Sequence, residues 1–225
     1  MKPSVTLAET TTPDGARLTL HVHDGHYQMR VDGSGLMTTT QTRSEAQLAE
    51  VACEHVGAAP GARVLIGGLG FGFTLRRVLE LVHPAVRVQV AELLPQIVAW
   101  NRDYLQSVNG ALLDDRRVEI LLEDVVAVLT RAPAGGYDVV LLDIDNGPVA
   151  LVDAGNARLY ADQGLRVLSR ALRPGGRAVF WSESRDRSFM RRLTAAGFRA
   201  TAIGTKSYAK AKRDIYTLIV ADRPG

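Results

Sequence analysis

One run of glycines and three later acids are the residues whose types and spacing can do chemistry: Gly67-Gly68-Leu69-Gly70-Phe71-Gly72, then Glu92, Asp124 and Asp143. Glycines are needed where a chain turns with positive φ and its backbone must come close to a ligand. A helix beginning just after such a turn has free N–H groups to offer that ligand. Gly68, Gly70 and Gly72 give G-x-G-x-G. A dinucleotide pyrophosphate is cradled by G-x-G-x-x-G instead, and no lysine follows as it does in a nucleoside-triphosphatase loop. At the end of a second strand Glu92 can accept both ribose hydroxyls. Asp124 falls where an adenine amino group would lie, and Asp143 beside the reacting end of the ligand. Carboxylates with no lysine or arginine close by suit a ligand that carries fixed positive charge and no phosphate. The sulfonium of an S-adenosylmethionine-type nucleoside is such a ligand. Any one acid has a plainer explanation, and Asp124 is well placed to cap a helix starting at Val125.

These roles require strand ends that meet in one crevice. Residues 43–225 supply them by alternation. Strands are predicted at Val64–Ile66, Val86–Val90, Val118–Leu122, Val139–Leu142 and Ala178–Trp181. Helices are predicted at Thr74–Val82, Pro95–Leu105, Val125–Arg131 and Ala157–Leu172, with Pro174-Gly175-Gly176 stopping the last of these. Ser188–Ala196 is the final helix, and Phe198–Ile203 and Tyr216–Ala221 close the sheet. Thr42 and Glu45 form a capping-box pair ahead of a first helix that runs to about His55. The pattern is that of an α/β domain with a doubly wound, largely parallel sheet. Residues 1–42 differ. Leu18, Leu20 and Val22 alternate with polar residues, Asp24-Gly25 turns the chain, and Tyr27, Met29 and Val31 resume the alternation before a further strand over Leu36–Thr40. A small β element of this size cannot bury both faces alone, so it must pack on the main domain or on a second subunit.

Composition excludes several classes. The 225 residues fit one domain with a small appended element, and 46% are hydrophobic. No apolar run reaches the ~18 residues of a membrane span. Met1-Lys2-Pro3-Ser4 lacks the pattern of a signal peptide. Cys53, the one cysteine, reads as an inert buried thiol, so a cytoplasmic location is expected. A net charge of +3 does not call for a nucleic-acid partner. The late basic residues, from Arg185 to Arg213, lack interleaved aromatics and read as a solvated helix face and loop. His21, His23 and His26 lack a fourth ligand and read as a polar hairpin face, with no metal. Trp181 reads as a core residue at a strand end.

From Asp32 to Trp181 the chain resembles the spermidine synthases, the polyamine aminopropyltransferases. The matching pieces are Asp32-Gly33, Ser44-Glu45, Val64-Leu65-Ile66-Gly67-Gly68 and Ala91-Glu92. Tyr137 through Asp143, Gly147-Pro148, Leu159-Tyr160 and Pro174-Gly175-Gly176 match as well. The resemblance implies a Rossmann-like class I S-adenosylmethionine-dependent transferase fold with a small N-terminal β element, and a homodimer. It implies that Asp143 helps deprotonate an attacking amine, that Glu92 binds ribose, that Asp124 binds adenine and that Glu183 faces the amine. It also exposes departures. The family loop reads G-G-G-D-G, and Phe71 stands where its aspartate holds the ammonium of the donor. Asn146 replaces a second aspartate, and a tyrosine expected near Leu48 is missing. Each loss removes a partner for a cation, whose desolvation unpaired costs several kcal/mol.

The expected reaction is in-line displacement at a carbon bonded to sulfonium, with Asp143 as base, its pKa raised by burial and by Asp145. Asp145, Asn146 and Glu183 are the expected contacts of a small amine, and Gly68, Gly70, Phe71, Gly72, Glu92 and Asp124 those of the donor. The donor is S-adenosylmethionine or its decarboxylated form, with no metal and no membrane. Methyl transfer on the same scaffold, a nucleoside-binding homologue without turnover, and RNA modification stay open beside aminopropyl transfer.

Overall fold

The computed structural model describes residues 3–54, 56, 59–144, 157–208, 210, 211 and 213–225. Its larger sheet has seven strands: β5 (Arg63–Gly67), β6 (Arg87–Ala91), β7 (Val118–Leu121), β8 (Tyr137–Leu142), β9 (Leu172–Ser182), β10 (Arg199–Thr205) and β11 (Tyr216–Asp222). Their order is β10-β11-β9-β8-β5-β6-β7. The five strands from β9 to β7 run parallel, and β11 pairs antiparallel with both β9 and β10. From β5 the chain moves outward to β6 and β7, then returns to place β8 on the other side of β5. This reversal opens a crevice between the carboxyl ends of β5 and β8, the general ligand position of open α/β sheets.

Both faces of the sheet are covered, which is why its central strands are uniformly apolar. Alternate residues go to opposite sides. Val64, Ile66, Val139 and Leu141 pack with α1 (Arg43–Cys53), α2 (Phe73–Leu81) and α3 (Pro95–Asp103). Leu65, Val140 and Leu142 pack with α4 (Val125–Arg131), α5 (Ala157–Tyr160), α6 (Asp162–Ala171) and α7 (Arg187–Ala195). Cys53 is buried and free, and burial pushes its thiol up to about 12. None of the described helices is long and apolar enough to cross a membrane.

The N-terminal region forms a second, antiparallel sheet of β1 (Val5–Thr11), β2 (Arg17–His23), β3 (His26–Val31) and β4 (Ser34–Thr38). Leu18, Leu20 and Met29 are buried and join the core beside α1–α3, so this sheet packs on the main sheet's helices.

Two expectations are corrected. The helix predicted over Ala157–Leu172 is broken at Ala161, whose extended backbone (φ −80°, ψ 161°) separates α5 from α6. The break lets the two segments fold against each other: a Cβ on Gly164 would stand 2.3 Å from the Arg158 carbonyl oxygen. Residues from Leu172 onward are already extended, so β9 begins before Pro174. The capping box also fails. Thr42 makes no side-chain cap, and the Glu45 carboxylate accepts a 2.6 Å hydrogen bond from the Ser44 hydroxyl instead.

Arg177 fastens three elements together. Its buried guanidinium donates to Asp222 of β11 at 2.7 Å, to Glu54 at 3.1 Å and to the Val51 carbonyl of α1 at 2.8 Å. Replacing it with methionine strips the charged donor from these acceptors, and a loss of about 3 kcal/mol is expected. The urea midpoint checks this; a change below ~0.5 kcal/mol would place Arg177 among the neutral surface positions.

Candidate active site

The glycine loop has the geometry that its composition requires. Gly68, Gly70 and Gly72 have φ of 88°, 50° and 75°. At Gly68 the close approach is to protein: an added Cβ would lie 2.4 Å from the Asp143 carbonyl oxygen. The ends of β5 and β8 therefore press together here, and the Asp143 N–H donates to the Gly67 carbonyl at 3.0 Å. Two buried asparagines hold the loop from behind. The Asn101 amide donates to the Gly70 carbonyl at 2.8 Å, and that of Asn109 to the Phe71 carbonyl at 2.6 Å.

Glu92 is buried and braces the same loop, accepting the Leu69 and Leu94 N–H groups at 2.9 Å each. The backbone N–H groups of Leu93 and Gly70 also face this carboxylate. Asp124 caps α4 through the Val126 N–H at 2.7 Å, and its other oxygen meets the Arg158 guanidinium at 2.7 Å. Asp143 accepts the Thr74 hydroxyl at 2.9 Å.

Two cavities meet at Asp143. The first, of about 90 Å³, is walled by Gly68, Gly70, Glu92, Asp124 and Asp143 and roofed by Leu18, Met29, Leu36 and Met37 of the small sheet. The second, of about 350 Å³, holds Glu45, Thr74, Asp143, Glu183 and the aromatics Phe71, Phe73, Trp181 and Tyr216. Leu36, Met37, Gly70, Asp143 and Ile144 belong to both. The rings of Trp181 and Tyr216 lie 4.8 Å apart in the second wall.

No family model matches the chain. Among curated proteins, a polyamine aminopropyltransferase of Mycobacterium tuberculosis is 33% identical over 141 residues, covering 61% of this chain and 26% of that protein. Putrescine N-methyltransferase 1 of Nicotiana tabacum is 31% identical over 132 residues, covering 57% and 33%. The aligned segments thus span about a quarter to a third of these relatives. A solved spermidine synthase from Thermotoga maritima superposes with a TM-score of 0.74 at 20% identity, covering 97% of this chain and 72% of that one. The chain is thus similar in sequence to polyamine aminopropyltransferases and in fold to a spermidine synthase. Its main sheet has the Rossmann-like, doubly wound α/β fold of that structure.

The structure brings Gly68, Gly70, Glu92, Asp124 and Asp143 to one crevice. Phe71 and Glu183 line the neighbouring cavity, while Gly72 starts α2. Asp145, Asn146 and the loop from Gly147 to Gly155 lie outside the described residues. Two readings need correction. A basic group does stand at the site, because α5 carries Arg158 onto Asp124 from 34 residues away. Trp181 is half-buried, packing on the core with one side and lining the cavity with another. The sequence reading missed Asn101, Asn109, Thr74, Tyr216 and Glu45. Only Glu45 had left a signal, and that signal was spent on a cap.

Burial pushes Asp143 up to about 6, against the pull of the Thr74 hydroxyl. It pushes Glu45 up to about 7, with the charge of Asp143 adding to the effect and the Ser44 hydroxyl opposing it. Glu92 is raised by burial, opposed by backbone N–H groups. Tyr216 is raised by burial and by the charges of Glu45 and Glu183.

These raised carboxyls bind protons more tightly in the folded chain than in the unfolded one. Their contribution therefore favours the fold at low pH and is lost as pH rises from about 4.5 to about 7. Glu45→Gln cannot ionise. It is expected to be more stable than the parent at pH 8 by about 1–3 kcal/mol, and to match it near pH 4. Chemical denaturation at the two pH values checks the sign; a variant less stable at pH 8 would contradict it.

Proposed function

We propose that the chain transfers an alkyl group from the sulfonium of an S-adenosylmethionine-type nucleoside to a small amine. The observation that carries this reading is the position of Asp143, a wall of both cavities. A nucleophile in the larger cavity and a sulfur-bound carbon in the smaller one would meet at its carboxylate. The residues fit such a donor. Glu92 stands in the crevice wall where ribose hydroxyls would lie, Met37 and Leu36 offer an apolar roof, and the basic group at the site, Arg158, is already paired with Asp124.

An amine is protonated at neutral pH and has no lone pair until it loses a proton. Asp143, raised by burial, is suited to take that proton. The amine nitrogen then displaces the thioether in line, a step that needs alignment more than further chemistry. Asp143 and Glu183 offer negative charge to the cation, and Trp181 and Tyr216 offer ring faces. Asp145 and Asn146, beside Asp143 in sequence, are assigned to the amine on the same reading.

The transferred group is aminopropyl if the chemistry of the resemblance is kept. Methyl transfer is the second reading, favoured by one observation. Phe71, buried beside the larger cavity, takes the place of an acid that would hold the donor's ammonium. The reading also assigns residues 43–225 to the transferase domain and 1–42 to a roof element, and it carries a cytoplasmic homodimer.

Asp143→Asn is expected to lower turnover ~10²–10⁴-fold with little change in donor affinity. The assay is mass-spectrometric detection of alkylated putrescine, with either donor. Unchanged turnover would remove Asp143 from the reaction. Calorimetry with the two donors separates the readings, since tighter binding of the carboxylated donor excludes aminopropyl transfer.

A further inference from the structure

We propose that the amino ends of β5, β6 and β7 form a binding site for a phosphate monoester, at the end of the sheet opposite the crevice. Arg63, Arg87 and Arg116 line a cavity of about 300 Å³ there, together with Gln89, Arg117 and Glu119. None of these residues walls either cavity at Asp143. β5 runs from Arg63 at this cavity to Gly67 at the crevice, a span of ~13 Å at the rise of a parallel strand.

Sheet register forces the charges together. Arg63 and Arg87 are direct partners across β5 and β6. On the far side of β6 stands Arg117, whose carbonyl accepts the Val88 N–H at 2.8 Å. Neighbouring strands lie ~4.8 Å apart, and like charges placed directly opposite one another are destabilising. No acid relieves them: Arg63, Arg87 and Arg116 make no ion pair among the described residues. The acids close by are committed elsewhere. Asp115 holds the Arg117 guanidinium with both oxygens, at 3.0 and 2.8 Å, and feels Arg116 only from a distance. Asp138 gives one oxygen to the Arg63 backbone N–H at 2.8 Å and the other to Arg173 at 2.6 Å. Glu119 accepts the Gln89 amide at 2.7 Å, and the Gln89 carbonyl accepts the Tyr137 hydroxyl at 2.6 Å. The Tyr137 ring centre lies 5.6 Å from the Arg63 guanidinium carbon, which gives that guanidinium a seat beside the cavity.

The chemistry of the wall selects the ligand. A guanidinium presents its donors in a planar fork that matches phosphate oxygens two at a time. Three unpaired guanidiniums facing one carboxylate, Glu119, leave an excess of positive charge. A phosphate monoester, at about −2 near neutral pH, balances it. The cavity is larger than a phosphate group and reaches the lower limit of small-molecule pockets, so an organic part is accommodated with it. Glu119 offers an acceptor to a hydroxyl of that part. A sugar phosphate has both features. A nucleic acid fits less well, because its bases need stacking surfaces and no aromatic residue lines the cavity among the described residues.

The test is calorimetry on the full chain in phosphate-free buffer, with glucose 6-phosphate, inorganic phosphate and, at equal ionic strength, chloride. Glucose 6-phosphate should bind, inorganic phosphate should bind more weakly, and chloride should give no saturable heat. Arg87→Gln should weaken glucose 6-phosphate ~10-fold, the loss of one charged hydrogen-bonding partner. Arg63→Lys keeps the charge but loses the fork, and should weaken it as well. Without ligand, Arg87→Gln should have a urea midpoint equal to or above that of the parent, because it removes a like-charge neighbour. A purely structural arginine would lower that midpoint, and such a result would count against the site. An affinity for glucose 6-phosphate that neither substitution changes would overturn the proposal. Inorganic phosphate bound as tightly as the ester would remove the organic part from it. Tighter binding of a short single-stranded RNA, weakened by the same two substitutions, would replace the small ligand with a nucleic acid and overturn it too.

Discussion

The site depends on one steric constraint, the contact of the Gly68 backbone with the carbonyl of Asp143. No side chain fits between them, because a Cβ at Gly68 would overlap an oxygen that belongs to the main chain. That contact closes the ends of β5 and β8 at the point where the sheet order reverses. Everything chemical is arranged around it: the glycine turn on one side, Asp143 on the other, and Glu92 holding the turn through the Leu69 N–H. Shifting the two strand ends apart would separate the donor crevice from the cavity beside it, and Asp143 would no longer wall both.

Much of this was legible from residue order. Strand–helix alternation and uniformly apolar strands dictate a parallel sheet, and a sheet of that kind has a crevice at its strand ends. Glu92, Asp124 and Asp143 could therefore be placed without knowing the helix packing. What escaped the sequence came from contacts between distant segments. Arg158 reaches Asp124 only because the fold sets α5 near the start of α4, and Tyr216 reaches the cavity only because β11 runs antiparallel beside β9. Asn101 and Asn109 read as ordinary helix and turn residues until their amides are seen under the loop carbonyls.

The misreading of Glu45 has a physical lesson. An acid in the first turn of a helix satisfies a local rule, since it suits the helix dipole and can reach back to the cap. The local rule did not win here. The side chain turned toward a cavity where its charge is poorly solvated, and only the tertiary fold, by bringing β8 and β11 alongside, decides that outcome. Asp124 is the opposite case: it serves the local cap and faces the crevice at once.

The roof of the smaller cavity comes from β2, β3 and β4, while its floor and walls come from the parallel sheet. A molecule that fills this space touches both sheets, so its binding free energy is also cohesion between them. By mass action, each tenfold rise of such a molecule above its dissociation constant tightens the union by about 1.4 kcal/mol. The small sheet is thus coupled to occupancy, held more firmly when the crevice is full and more readily lifted when it is empty.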